Sequence, residues 1–143
     1  MGYELREHTA DVAVWAAGPT LEAAFGSVAD GLAAACVDDV PEPDRTDPAR
    51  ERALGLRAES LEALLFDYLD ELIYRRDVEH GLPVDNRVEA IERTGETEWT
   101  LEASYWSIPL SEIVAREIKA VTYAEMSIEE TSDGWECYVV FDV

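Results

Sequence analysis

The chain opens with a strand-like alternation of apolar and polar residues. Tyr3 and Leu5 alternate with polar residues, and the alternation resumes at Val12 after the small and polar stretch "HTAD". A period of two is typical of a strand that buries one face. Asp11 therefore lies at a strand junction, where a carboxylate interrupts an otherwise apolar pattern.

Two helical stripes follow. One lies behind Thr20 and the other behind Ser60, and both hydroxyl residues are suitable N-caps. Apolar residues recur behind each of them with the i, i+3, i+4, i+7 spacing of a one-sided helix. The spacing predicts helices over about 21–36 and about 61–78, and the acidic, proline-rich stretch 38–48 reads as a solvated connection.

The remaining patterns indicate strands and set the predicted fold class. Strands are predicted over 51–59, over 84–93 and 98–106 as a hairpin, from 120 onward, and in the closing segment "WECYVVFDV". Residues 107–118 fit a loop or a short helix equally well. About seven strands and two long helices, in an order too irregular for βαβ repeats, predict an α+β fold. We expect a two-layer sandwich with both helices on one face of a mixed β-sheet, in a single domain over residues 1–143.

Charge is the strongest bulk feature of the composition. The chain has 32 acidic and 11 basic residues, a formal net charge of −21, and Lys119 is its sole lysine. At molar salt the Debye length is about 3 Å, so such a balance indicates adaptation to a high-salt cytoplasm. Strong direct nucleic-acid binding is disfavoured because it requires basic residues that neutralise phosphates. No apolar run long enough for a membrane span and no signal pattern occurs, so we expect a cytoplasmic protein.

The residues needed for independent catalysis do not assemble into any motif. The histidines are His8 and His80, and no phosphate-binding, zinc-binding or serine-hydrolase spacing is present. His80 fits a capping role at the end of the second helix. His8 and Thr9 are predicted to shape the turn, and a role of His8 as a catalytic base is the alternative. Cys36 and Cys137 lack metal spacing and are predicted to be buried thiols.

Carboxylates at the two ends of the chain offer a different chemistry. Asp142 interrupts the apolar terminal strand, and Val143, as the last residue, adds the oxygens of its free carboxylate. If the terminal strand lies beside the first, Asp11, Asp142 and that carboxylate form an oxygen-only cluster suited to a hard cation such as Ca²⁺ or Mg²⁺. A solvated strand face is the alternative interpretation of Asp142.

Several stretches together resemble the archease family. They are "YELREHTADVAVWAAGPTLEAAF", "LEALLFDYLDELIYRRD", "REIKAVTYAEM" and the closing "WECYVVFDV", and they span nearly the whole chain. The resemblance implies a small cytoplasmic accessory protein of tRNA splicing and RNA repair, without catalysis of its own. Its partner would be the RtcB-type RNA ligase, whose guanylylation and multiple turnover archeases promote.

The resemblance also implies a divalent-metal site, usually calcium. The matching positions here are Asp11, Asp142 and Val143. The motif "KAVTYH" is matched from Lys119 to Tyr123, but Ala124 replaces its histidine, which puts any imidazole-dependent role in doubt. Lys119 is a candidate contact for a phosphate or for an acidic residue of the ligase, and an ordinary surface lysine is the alternative.

Two other function classes remain open at this point. One is a general chaperone-like interaction module without ligase specificity, which the fold alone would permit. The other is a metal-dependent hydrolase that uses the same carboxylates, which the lack of a histidine cluster argues against.

Overall fold

The structure is a computed structural model that describes residues 2–8, 11–113 and 115–143, with residues 6–8 described by their backbone alone. In chain order, the elements are β1 (Gly2–His8), β2 (Asp11–Gly18), α1 (Leu21–Cys36), β3 (Glu51–Ala58), α2 (Leu61–Glu79), β4 (Gly81–Arg93), β5 (Trp99–Pro109), β6 (Ala120–Val121), β7 (Ser127–Thr131) and β8 (Gly134–Asp142). Short 3₁₀ turns lie at Pro48–Arg50 and Leu110–Glu112. None of the helices described is long and apolar enough to cross a membrane.

The strands form two antiparallel sheets. The first has the order β1-β2-β8, with β6 and β7 both paired to the far edge of β8, and the second has the order β3-β5-β4. The predicted α+β class is confirmed, but two antiparallel sheets take the place of the one mixed sheet expected. The reason lies in β5, which pairs antiparallel with both β3 and β4 and thereby separates the two strands that a helix connects.

Both helices begin and end close to their predicted limits. Thr20 and Ser60 are the N-caps, and each side-chain oxygen accepts a hydrogen bond of 3.1 Å from the backbone N–H three residues later. At the end of α2, His80 adopts a left-handed conformation with φ 53°, and its N–H donates to the carbonyl of Arg76. The predicted capping position of His80 is therefore confirmed, although its backbone, not its imidazole, makes this contact.

The helices contact strands of both sheets, which differs from the predicted packing on one face of a single sheet. Helix α1 packs against β1, β2 and β8 of the first sheet and β4 of the second. Helix α2 packs against β3, β4 and β5, and also against β6 and β7. Close approach of α1 to β2 depends on Gly31, because a Cβ there would lie 2.5 Å from a methyl carbon of Val14.

Two segments that the pattern described poorly are now defined. Within the ambiguous residues 107–118, β5 continues as far as Pro109, residues 110–112 make the 3₁₀ turn, and residues 115–118 have no regular secondary structure. The alternating pattern from residue 120 is not one strand but two, because a turn separates β6 from β7. In that turn Glu125 has φ 56°, and the N–H of Met126 donates to the carbonyl of Tyr123 over 3.1 Å.

Candidate functional site

The pairing of β2 with β8 brings the two predicted aspartates together. Asp11 lies directly opposite Asp142, and in the neighbouring pairs His8 lies opposite Asp11 and Ala120 lies opposite Asp142. Directly opposed residues project to the same face, with Cβ atoms roughly 4.5–5.5 Å apart. We call Asp11, Asp142 and the following Val143 the carboxylate corner.

The carboxylate corner is open to solvent on the face of the sheet away from the helices. Val139 and Phe141 are fully buried in the core, whereas Asp142 is exposed, Val143 exposes 45% of its surface and Asp11 is half-buried. Within the described part of the chain, no hydrogen bond or ion pair engages the side chain of Asp142. Its carboxylate is available to an incoming cation or partner.

Lys119 lies beside this corner. Its backbone N–H donates to the carbonyl of Asp142 over 2.9 Å, immediately before β6 begins. Three residues after Lys119, Thr122 donates to the carbonyl of Val140 from both its N–H and its hydroxyl, each over 3.0 Å. The Lys119 side chain is exposed and makes no ion pair with the residues described. The backbone of Lys119 is therefore fixed next to the corner while its ammonium group remains available.

The other predicted residues are only partly placed. The backbone of His8 pairs with Asp11 beside the carboxylate corner, but the side chain of His8 is outside the described part of the structure. Thr9 lies outside the described residues altogether. The turn-shaping role of both therefore stays a prediction. Ala124, where the family motif has histidine, is exposed in the turn before β7, and its N–H donates to the hydroxyl of Thr122 over 3.2 Å.

A buried arginine that the sequence analysis missed supports this region. Arg76 exposes 7% of its surface, and its guanidinium donates to the carbonyl of Ile118 at 3.0 Å and to Asp77 at 3.0 and 3.1 Å. The same group lies 4.0 Å from the sulfur of Cys36. Arg76 thus joins α2 to α1 and to the residue before Lys119. Its position in the sequence could have predicted this burial, because Arg76 continues the apolar stripe of α2 four residues after Leu72.

Arg116 connects the segment before β6, residues 115–119, to the end of α1. Its backbone N–H donates to the carbonyl of Cys36 over 2.6 Å, and its guanidinium donates to the carbonyl of Ala35 at 3.2 Å and to Asp38 at 2.8 Å. These bonds satisfy carbonyls that a helix C-terminus leaves without partners. The segment that leads to Lys119 is therefore held along its length.

The two cysteines are buried and free, as predicted. Burial raises the pKa of Cys137 to about 12 and also raises the pKa of Cys36, although Arg76 and Arg116 act in the opposite direction on Cys36. Both thiols are protonated near neutral pH, and a protonated, buried thiol is a poor nucleophile. The cysteines therefore belong to the core.

The donor chemistry of the carboxylate corner fits a hard divalent cation. Ca²⁺ takes six to eight oxygen ligands, and each carboxylate can supply one or two of them. Among the described residues, no three His, Cys, Asp or Glu side chains come together as a metal site. Asp11 and Asp142 would therefore need further oxygen ligands, from the main chain at Val143, from other carbonyls or from water, to complete the shell.

A cavity of about 540 Å³ lies elsewhere, on the three-stranded sheet around Gly55 and Leu101. None of the predicted site residues lines it. Its walls mix aliphatic side chains with Arg57, Glu92 and Glu102. Its residues do not converge on a chemistry that the sequence analysis predicts.

The architecture defines a class of small α+β proteins in which two helices pack against two antiparallel sheets. Solved structures of other proteins share it. One is the solution structure of Methanobacterium thermoautotrophicum protein 1598, at TM-score 0.81 and 27% identity over 99% of each chain. Another is the crystal structure of an archease, possible chaperone, from Thermotoga maritima, at TM-score 0.56 and 23% identity, covering 98% of this chain and 96% of that one. The second likeness concerns the fold alone.

Sequence comparison identifies the family. The model of the "Archease protein family (MTH1598/TM1083)" matches residues 3–143. The chain is 38% identical over 145 residues to the protein archease of Thermococcus gammatolerans, covering 99% of this chain and 98% of that one. It is 36% identical over 146 residues to that of Methanosarcina acetivorans, covering 99% and 95%. This chain belongs to the archease family.

Proposed function

We propose that this protein activates an RtcB-type RNA ligase in tRNA splicing and RNA repair, by promoting guanylylation of the ligase and its multiple turnover. Membership of the archease family supports an accessory role in RNA ligation in general. The observation that carries the proposal is the pairing of Asp11 with Asp142 beside Lys119. At this position the two carboxylates can bind the metal of a metal–nucleotide complex, and the ammonium group can bind its phosphates.

In this proposal the carboxylate corner binds a divalent cation, expected to be calcium, with Asp11, Asp142 and the main-chain oxygen of Val143 as its ligands. A bound cation would supply positive charge for phosphate oxygens at the ligase active site. Lys119 would add a second positive group for a phosphate or for an acidic residue of the ligase. The ligase carries out the bond-forming chemistry, and this protein positions the nucleotide or its metal.

A guanylylation assay tests the proposal. The RtcB-type ligase from the same organism is incubated with labelled GTP at high salt, with and without this protein and with and without a calcium chelator. We expect this protein to increase the fraction of guanylylated ligase and the chelator to abolish the increase. No stimulation under these conditions would contradict the proposal and favour an interaction module of another kind.

A metal that only fastens β8 to β2 is the structural alternative. Asp11→Ala separates the two roles. Lost stimulation by a variant that is still folded at the assay temperature supports a role at the ligase, because the loss of bound calcium lowers the melting temperature under either role. Stimulation that persists wherever the variant is folded favours the fastening role.

A further inference from the structure

The solvent face of α2 carries large apolar side chains where a surface helix is normally polar. Tyr74 and Val78 expose 59% and 57% of their surfaces. Together with Asp67 and Asp70 they follow the spacing i, i+3, i+7, i+11, so all four lie along one line of the helix. A line of exposed apolar groups on one element is typical of an interaction surface.

An exposed aromatic ring from another part of the chain extends this face. The ring of Tyr123 stacks on that of Phe66 with centroids 4.2 Å apart and an interplanar angle of 8°, and Tyr123 still exposes 55% of its surface. Hydrogen bonds from Ala124 to Thr122 and from Met126 to Tyr123 hold the turn that presents the ring. The ring is therefore a fixed flat platform at one end of the line. We call Phe66, Asp67, Asp70, Tyr74, Val78 and Tyr123 the α2 surface.

The charges on the α2 surface select the kind of partner. Burial raises the pKa of the Tyr123 phenol, and the nearby carboxylate of Asp67 adds a smaller effect in the same direction. Burial also raises the pKa of Asp67, with a smaller contribution from Asp70. Both aspartates are exposed, and the whole chain has a net charge of −21. Anionic side chains beside an aromatic face suit an arginine, whose guanidinium stacks on the ring and pairs with a carboxylate. The same charges repel nucleic acid.

We propose that the α2 surface docks a basic segment of the partner ligase, with an arginine on the ring of Tyr123 and apolar side chains on Tyr74 and Val78. The inference rests on the proposed function for the identity of the partner. An enzyme that holds RNA ends neutralises phosphates with lysine and arginine, so its exposed surface near the RNA is basic. Charge complementarity therefore favours this occupant. The α2 surface gives affinity, whereas the carboxylate corner acts on the nucleotide.

Binding of the purified ligase to the labelled protein, measured by fluorescence anisotropy at several KCl concentrations, tests the inference separately from activation. We expect Tyr123→Ala and Tyr74→Ala each to raise Kd by about tenfold or more, as removal of an aromatic anchor does at interfaces. Tyr123→Phe keeps the stack and should stay within about twofold of the wild type. The double variant Asp67→Asn/Asp70→Asn should also weaken binding and reduce its dependence on salt.

Matched controls come from exposed residues outside the α2 surface. Tyr3→Ala and Asp133→Asn remove an exposed tyrosine and an exposed aspartate, and neither should change Kd by more than about twofold. Unchanged Kd for both tyrosine variants of the α2 surface would overturn the inference. Tight binding of a single-stranded RNA oligonucleotide that Tyr123→Ala abolishes would also overturn it, because the ring would then stack on bases.

The two proposals fail in distinguishable ways. Ligase binding that depends on Tyr123, without any stimulation of guanylylation, contradicts the proposed function and leaves the docking surface intact. Stimulation that survives Tyr123→Ala and Tyr74→Ala with unchanged Kd contradicts the docking surface alone. A wild-type protein that does not bind the ligase contradicts both.

Discussion

The five-stranded sheet contains two cross-strand pairs of acidic residues, and their surroundings differ. Asp11, the first residue of β2, lies opposite Asp142, the last residue of β8, next to Val143 and Lys119. Glu129 lies opposite Glu136 in the β7–β8 hairpin, and the residue that faces Glu136 from β2 is an alanine, Ala17. Like charges directly opposite each other destabilise a sheet.

The comparison shows that two opposed carboxylates alone do not define a site in so acidic a chain. Both pairs place residues of like charge opposite each other. Among the described residues, only the first pair has beside it a lysine whose backbone N–H donates to one of the two aspartates. We therefore attribute the proposed function to what surrounds the pair, and Glu136 provides a matched control for the tests at Asp142.

The largest expected difference between the two pairs is in calcium affinity. We expect Asp142→Asn to weaken Ca²⁺ binding by about 100-fold or more, because removing a ligand should cost at least as much as the 10- to 100-fold typical of its supporting residues. Glu136→Gln should change the affinity by less than about twofold. Isothermal titration calorimetry measures both values. Equal losses in the two variants would show that calcium binds diffusely to the acidic surface.

The second prediction concerns the support of the first pair. Arg76→Ala should lower the free energy of unfolding by about 3 kcal/mol, because it removes the hydrogen bond to Ile118 and leaves buried polar groups without partners. Urea denaturation measures the change. The control is Arg87→Ala, which removes a 70% exposed side chain and its 3.7 Å ion pair with Asp85, and it should cost less than about 0.5 kcal/mol. A similar cost for both arginines would contradict the assigned role of Arg76.

The smallest expected effect is on stability. The effect of Asp142→Asn should change sign between chelator and calcium, whereas that of Glu136→Gln should not. In the presence of a chelator, Asp142→Asn and Glu136→Gln should each stabilise the protein by up to about 1 kcal/mol, since each removes like-charge repulsion. In saturating calcium, only Asp142→Asn should be less stable than the wild type, because it loses the stabilisation that bound ligand gives. Thermal denaturation in both conditions checks this. The same sign for Asp142→Asn with and without calcium would contradict a metal at the carboxylate corner.

The dependence of these stabilities on salt concentration tests whether charge repulsion is their cause. At molar KCl the Debye length is about 3 Å, so the stabilisation that either variant gains without calcium should shrink. Repeating the thermal denaturation in 0.1 M and 2 M KCl measures this change. A gain that is independent of salt would mean that packing, not charge, determines the effect of the substitution.

Local features of the fold were predictable because they depend on neighbouring residues. The spacing behind Thr20 and Ser60 predicted both helices, and these caps are confirmed. The division into two sheets was not predictable, because an alternating pattern specifies which face of a strand is buried but not which strand lies beside it. The turn at Glu125 was missed although the apolar positions change there from odd numbers, Val121 and Tyr123, to even numbers, Met126 and Ile128.

The candidate site was predictable only in part. The positions of Asp11 and Asp142 came from an interrupted apolar pattern and from the family resemblance, whereas their direct opposition depends on a register that only the folded sheet defines. Arg76 was missed because a single arginine on a helix usually lies in solvent. In the folded chain Arg76 is buried and donates to the carbonyl of Ile118 in the segment before β6, a contact between residues far apart in sequence.

The most direct test of the proposed function is the rate of ligase guanylylation in a single turnover with saturating calcium. The rate is compared for the wild type, Asp142→Asn and Glu136→Gln, each at a concentration that saturates the ligase. We predict full stimulation by the wild type and by Glu136→Gln, and at least a tenfold smaller rate with Asp142→Asn, which corresponds to about 1.4 kcal/mol. Full stimulation by Asp142→Asn would contradict a role of the carboxylate corner at the ligase.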